Sequence, residues 1–320
     1  MNRRILVVSL NPALDITHEV SRVEWSDVNR PAAVSSRPGG KGLNVARTLH
    51  ALGADVLVVG LVGDRTGDAV RSALAETGVR AAFTEIVGET RRTFAVVDSH
   101  RGQTALFNEP GPHVSPAEYA PFRTRYETEL GRCAAVVLSG SLPPGLPPDS
   151  YAELTSIAAA AGVPAVLDTD GQALIEGVAA RPAIVKPNLA ELSMAVGRPL
   201  AAVSGAAQAM VAAAAYELRD AGAQAVVVSL GSYGLLAVTG DGVWQATQPG
   251  RVAGNPTGAG DAVVAGLAHR LVLGRSWAER LRHAVALGTA AAAAPVAGEF
   301  CPDDYARALA TARITRLGAG

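Results

Sequence analysis

Short, unbroken apolar runs separated by alanine-rich segments constrain this chain more than any other feature. Residues 5–9, 56–62, 134–138, 165–167, 184–185 and 225–229 are rich in Val, Ile and Leu and do not alternate with polar residues. A strand with one face in water alternates, whereas a strand covered on both faces does not, so these runs point to a parallel sheet between helical layers. Segments 43–52, 67–77, 150–161, 205–221 and 262–273 predict helices between them. This repetition gives a doubly wound, three-layer α/β/α fold with a mainly parallel central sheet. Its ligands are expected at the carboxyl ends of the strands.

Two stretches break the rhythm. Residues 15–37 are polar, without a helical period, and carry extended pieces at 16–20 and 32–36. Residues 90–110 contain extended pieces at 93–97 and 104–107 around the turn Ser99-His100-Arg101-Gly102. Together they predict a small β-sheet standing over the site as a lid, an insertion within one 1–320 unit, since neither piece buries a core alone.

Composition narrows the function. The chain has 320 residues, 49% of them hydrophobic, which is enough for a substantial core. A formal net charge of −1 offers no electrostatic case for a nucleic-acid or anionic-membrane partner. Cys133 and Cys301 are far apart and form no CxxC, which argues against a disulfide framework or a zinc site. The apolar runs at 5–8 and 290–296 are too short for a signal-peptide core or a membrane span, so a cytoplasmic protein is expected. The six histidines are scattered and read as structural or solvated.

Six stretches carry candidate chemistry. Asn255-Pro256-Thr257-Gly258-Ala259-Gly260-Asp261 runs directly into the helix at 262–273. Its glycines permit a tight turn with bare N–H groups beside a helix N-terminus, an anion site. Asp261 there reads either as a general base placed where charge moves or as an ordinary helix cap. Asp15, in Asn11-Pro12-Ala13-Leu14-Asp15 just past the first strand, can accept sugar hydroxyls or serve as a turn aspartate. Gly39-Gly40-Lys41-Gly42-Leu43-Asn44 opens a helix with a cation and suits a phosphate. It is not a Walker A loop, because Gly42 stands where Ser or Thr is needed.

Lys186-Pro187-Asn188 with Glu191 follows a strand. Asn188 and Glu191 sit three apart, where they can orient water around Mg2+ or form a plain capping box. Ser229, Gly231 and Gly234 end another strand and border a nucleotide or merely turn a hairpin. Arg91, followed by Arg92, and Asn108 lie at the two feet of the lid hairpin, where an arginine can clamp phosphate.

In chain order, Asn11-Pro12-Ala13-Leu14-Asp15, Gly39-Gly40-Lys41-Gly42-Leu43-Asn44, Leu138-Ser139-Gly140-Ser141-Leu142-Pro143, Lys186-Pro187-Asn188 with Glu191, and Gly258-Ala259-Gly260-Asp261 resemble the PfkB, or ribokinase-like, sugar kinases over essentially the whole chain. Lys41 within the glycine turn is similar to the hexose-phosphate branch, which contains 1-phosphofructokinase and tagatose-6-phosphate kinase. The resemblance implies ATP and Mg2+ as cofactors, Asp261 as catalytic base, and the Gly258, Ala259 and Gly260 amides as an anion hole. It implies that Asp15, Gly39, Gly40, Asn44, Asn108 and Ser139 contact the sugar, and that Lys41 and Arg91 hold its phosphate. Lys186, Asn188, Glu191, Ser229, Gly231 and Gly234 fall on the nucleotide side, with Asn188 and Glu191 reaching Mg2+ through water. A homodimer through the lid is also implied, with Arg30 reaching a neighbour's substrate. The expected reaction is fructose 1-phosphate to fructose 1,6-bisphosphate, with tagatose 6-phosphate or fructose 6-phosphate as alternative acceptors. A non-catalytic sugar-phosphate-binding regulator is the rival of another class. A dinucleotide-dependent oxidoreductase is disfavoured because no GxGxxG occurs.

Overall fold

The computed structural model describes residues 3–201, 206–250, 257–294 and 296–317. Strand β1 (Ile5–Ser9) is followed by β2 (Ala13–Val20), β3 (Ala33–Gly39), helix α1 (Lys41–Ala51), β4 (Val56–Val62), α2 (Asp64–Glu76) and β5 (Arg80–Glu85). The middle of the chain holds β6 (Arg91–Asp98), β7 (Gln103–Asn108), α3 (Pro116–Leu130), β8 (Ala135–Ser139), α4 (Ser150–Ala160), β9 (Ala165–Asp168), α5 (Gly171–Ala179), β10 (Ile184–Val185) and α6 (Leu189–Ala195). Then come α7 (Ala206–Asp220), β11 (Val226–Ser229), a 3₁₀ turn (Gly231–Tyr233), β12 (Leu235–Thr239), β13 (Gly242–Thr247), α8 (Ala259–Val272), α9 (Trp277–Ala293), α10 (Pro302–Thr311) and β14 (Arg313–Leu317).

The main sheet runs β14-β13-β12-β11-β10-β9-β8-β1-β4-β5. Pairing is parallel from β11 to β5 and antiparallel from β11 to β14. All five residues of β1 are buried, Ile5 and Val7 toward one helical layer and Leu6 and Val8 toward the other. One layer brings Phe122, Tyr126, Leu154, Leu174 and Val211 onto the sheet, and the other brings Leu43, Leu49, Val70, Val264 and Leu281. Each such side chain contributes about 1.5–3 kcal/mol of burial, which is why the unbroken apolar runs give this architecture. From β1 the chain winds outward to β4 and β5, then returns to build β8, β9 and β10 on the other side. The reversal opens a crevice at the carboxyl ends of β1 and β8, where a doubly wound sheet binds ligands.

The two polar stretches form a second sheet of order β3-β2-β6-β7, with β2 and β6 parallel and the outer pairs antiparallel. Its foot is pinned at Ala13, which pairs with both Gly39 and Arg91. Its outer strands carry exposed apolar side chains, Val34 on β3 and Leu106 and Phe107 on β7.

Helix starts differ from the sequence expectation where glycine takes part. Helix α1 begins at Lys41 and α8 at Ala259, so both glycine turns supply the N-cap and the first helical turn rather than a loop ahead of it. Gly258 makes this start possible at φ 83, the left-handed region. Asn255 and Pro256 lie outside the described residues. Helix α3 escaped the apolar pattern because only Phe122, Tyr126 and Leu130 are buried along it and Pro121 lies inside it. β13 and β14, at one end of the main sheet, likewise gave no continuous apolar run, whereas β12 is an unbroken buried run (residues 235–238) that the strand reading passed over. Among the described residues no helix is long and apolar enough to cross a membrane, and both cysteines are free.

Candidate active site

Asp261 occupies the third position of α8, buried to 7% exposure. It does not cap its helix, since Gly258 is the N-cap and no side chain bonds there. Instead Asp261 Oδ2 accepts a 2.9 Å hydrogen bond from Asn44 Nδ2 on α1. Burial and then the neighbouring Asp168 carboxylate push its pKa up to about 7, against the pull of Asn44, Lys41 and Lys186. An aspartate with that proton affinity is matched to proton transfer near neutrality.

Asp168, at the carboxyl end of β9, was not singled out in the sequence. Its position immediately after a predicted strand was the available signal. It pairs with Lys186 Nζ at 3.2 Å and Lys41 Nζ at 3.6 Å and accepts from Ser139 Oγ at 3.3 Å. Burial alone would raise its pKa, but Lys186 and Lys41 hold it below the usual aspartate value. Ser139, expected on the sugar side, is buried and turned toward Asp168.

Lys41, expected to hold the acceptor's phosphate, faces carboxylates. Its ammonium lies 3.1 Å from Glu191 Oε1, and although burial works against its charge, Asp168, Glu191 and Asp261 raise its pKa. The Asn188–Glu191 capping box is also present: Asn188 Oδ1 accepts from the Glu191 N–H at 2.8 Å, and Glu191 Oε2 from the Asn188 N–H at 2.7 Å. Glu191 Oε1 is left to meet Lys41, so the cap and the charged cluster share one residue.

These groups line a cavity of about 530 Å³, within the ordinary range for small-molecule sites. Lys41, Lys186, Asp168 and Asp261 cluster in its wall, and Ser229, Gly231 and Gly234 form part of its rim. Val263, Val285 and Ala292 give it an apolar stretch. Two lysines and a helix N-terminus suit a polyphosphate, and the apolar stretch suits a planar base, so a nucleotide fits the donor set. Among the described residues no three His, Cys, Asp or Glu side chains are grouped to hold a metal ion. Mg2+ typically keeps most of its water and takes its other ligands from phosphates and one or two carboxylates, and Asp168 and Glu191 meet that demand.

The residues expected to contact the acceptor gather at the foot of the small sheet. Asp15 is half-buried and accepts from Thr93 Oγ1 at 2.5 Å. Burial raises its pKa, opposed by Thr93, Arg91 and Arg47. Gly39 must lack a side chain, because a Cβ there would come 2.0 Å from the Asp15 carboxylate. Arg91 Nε donates to the Asn11 carbonyl at 3.0 Å, and its charge faces Asp15 and Glu109. Arg92 is committed elsewhere, paired with Glu109 at 3.5 Å and lying over the Phe94 ring. Arg91 also lines a more open cleft of about 820 Å³ with Glu109, Pro110 and His113. That cleft is the larger of the two, but the paired lysines and Asp261 line the smaller. Asn108 is exposed at the end of β7, and Arg30 is exposed in the β2–β3 connection.

Gly298 is a second residue that no motif marked. With Ala297 it forms a turn behind α8, where a Cβ on Gly258 would lie 2.9 Å from Ala297 Cα.

Residues 8–303 match the pfkB family of carbohydrate kinases. Phosphofructokinase-2 from Escherichia coli in complex with fructose-6-phosphate is 31% identical, with 97% of this chain and 99% of that chain covered and a TM-score of 0.85. A Thermotoga maritima protein described as a possible 1-phosphofructokinase is 25% identical over 99% of this chain and all of its own, with a TM-score of 0.86. Arabidopsis thaliana ribokinase complexed with ribose and ATP has the same fold at 22% identity, with 97% and 99% covered and a TM-score of 0.75.

Proposed function

Since the chain belongs to the PfkB family of carbohydrate kinases, we propose that it transfers the γ-phosphoryl group of ATP to the free primary hydroxyl of a ketohexose monophosphate, with fructose 1-phosphate as first acceptor. It is a sugar-phosphate kinase with an alcohol acceptor. The carrying observation is Asp261, buried at the positive end of α8 with its pKa raised to about 7 and two lysines beside it.

In this reading Asp15 and Gly39 seat the sugar and Arg91 faces its phosphate. Asp261 takes the proton of the attacking hydroxyl as the oxygen moves onto phosphorus. The amides at the start of α8 and the ammonium of Lys41 receive the charge on the transferring group, so catalysis is positioning plus electrostatics. Lys41 is pre-oriented by Glu191 and Asp168 and exchanges part of that contact for phosphate. Asp168 and Glu191 would hold Mg2+, which would neutralise charge on the phosphates when bound. The small sheet closes the site against water, and its exposed Val34 and Phe107, which the register puts on one side of the sheet, offer a face for a second copy of the chain.

Fructose 6-phosphate is the second reading, favoured by the 31% identity to an enzyme crystallised with it. A coupled ADP-release assay on fructose 1-phosphate, fructose 6-phosphate, tagatose 6-phosphate and unphosphorylated fructose separates these acceptors. Turnover on fructose 1-phosphate above the others is expected. Preference for unphosphorylated fructose contradicts the reading, and sugar-phosphate binding without turnover would indicate a regulator.

A further inference from the structure

Asn44 enters the sequence reading only as a sugar contact, yet its amide is occupied by the base. The Nδ2 group donates to Asp261 Oδ2 at 2.9 Å with both residues buried. The opposite end of the amide, Oδ1, is buried without a hydrogen-bond partner among the described residues. It lies against Gly298, where a Cβ would come 2.9 Å from Oδ1 and 3.1 Å from Asn44 Cα. Gly298 has φ 76, so glycine is required there on backbone grounds too. One residue further on, Glu299 accepts from Arg47 at 3.0 Å, and Thr48 Oγ1 reaches the Gly298 carbonyl at 3.4 Å. The turn is therefore bolted to the same helix that carries Asn44.

We propose that Asn44 is a positioning residue for Asp261: its amide, backed by the Gly298 turn, holds one carboxylate oxygen so that the other is presented to the acceptor hydroxyl. An ionised carboxylate only accepts, and the –NH2 end only donates, so the contact is best made when Asp261 is ready to act as a base. The other charged groups facing Asp261 are Asp168 on β9, Lys41 on α1 and Lys186 after β10. Asp168 opposes ionisation and the two lysines favour it. Asn44 is the one neutral donor among them, and it acts through geometry as well as charge.

The proposal rests on Asp261 being the base, and its test separates the two ideas. The pH profiles of kcat and kcat/KM are measured for the full chain, Asn44→Ala and Asn44→Asp, with melting temperatures as a check on folding. In Asn44→Ala the acid limb moves up by about one pH unit, and kcat at neutral pH falls about tenfold or more, with KM for ATP unchanged. In Asn44→Asp a second carboxylate faces the base and the limb moves further up. A raised KM for the sugar phosphate with an unmoved limb in both variants overturns the proposal and leaves Asn44 as a sugar contact. In parallel, the Asp261 carboxyl is titrated by 13C NMR in the ligand-free protein and assigned by its loss in Asp261→Asn. An upward move of that titration in Asn44→Ala supports the proposal even if no acceptor in the panel turns over. A titration that stays in place overturns it.

Discussion

The two sides of the crevice are built on opposite plans. On the proposed nucleotide side, Asp168, Lys186, Glu191 and Asp261 are all buried, and each contacts or faces an opposite charge or a donor. They stand at the ends of strands and helices sealed into the core. On the proposed acceptor side, Asp15 and Arg91 are only half-buried, and they hang from a four-stranded sheet whose outer strand β7 is largely exposed. Charges fixed in a low-dielectric interior supply transfer chemistry that differs little among acceptors. Side chains on a lightly packed sheet can change with little cost to folding, so substrate choice belongs there.

The sharpest test of that contrast removes the base. Asp261→Asn is expected to lower kcat by about 10³-fold with KM for both substrates within a few-fold, since general-base catalysis contributes about 10²–10⁴. Second in size is Lys41→Met, which takes a cation from both the transferring phosphate and Asp261. Expected are a loss of about 10²-fold in kcat and an acid limb displaced above that of the wild type.

Next comes the acceptor side. Arg91→Ala is expected to raise KM for the sugar phosphate about 10–100-fold, the loss of one charge-assisted contact, with kcat little changed. Arg92→Ala, already paired with Glu109, is expected to change it less than threefold. Equal effects at the two arginines would dissolve the distinction drawn between them.

The smallest effect is on stability and pH. Because Asp261 has a higher pKa folded than unfolded, the folded state binds more protons between about pH 4 and 7, and stability falls as pH rises through that window. Asp261→Asn removes this cost. Its melting temperature is expected to exceed the wild type's by a few degrees at pH 8, about 1–2 kcal/mol, with the gap closing near pH 4.

Much of the buried side was legible in the sequence because its signals are local. Unbroken apolar runs marked the central strands, and the glycine turns marked where two helices open, although the structure starts those helices two and three residues earlier, at Lys41 and Ala259. What stayed hidden depends on contacts between distant segments. Asp168 looks like any polar residue after a strand until Lys41 and Lys186 close on it from elsewhere in the chain. Gly298 lies in an ordinary-looking turn, and its role is visible only against Asn44 and the Gly258 cap of α8. Lys41 shows the same limit. Its place in the glycine turn was clear, but its carboxylate neighbours were not.

The most direct test of the central claim is ADP release with Mg-ATP and fructose 1-phosphate, followed against pH in the wild type and in Asp261→Asn. Turnover in the wild type that falls away below about pH 7, and loss of about 10³-fold in the variant, is the predicted result. A variant that retains wild-type kcat, with the same acid limb, would contradict the assignment of Asp261 as the base.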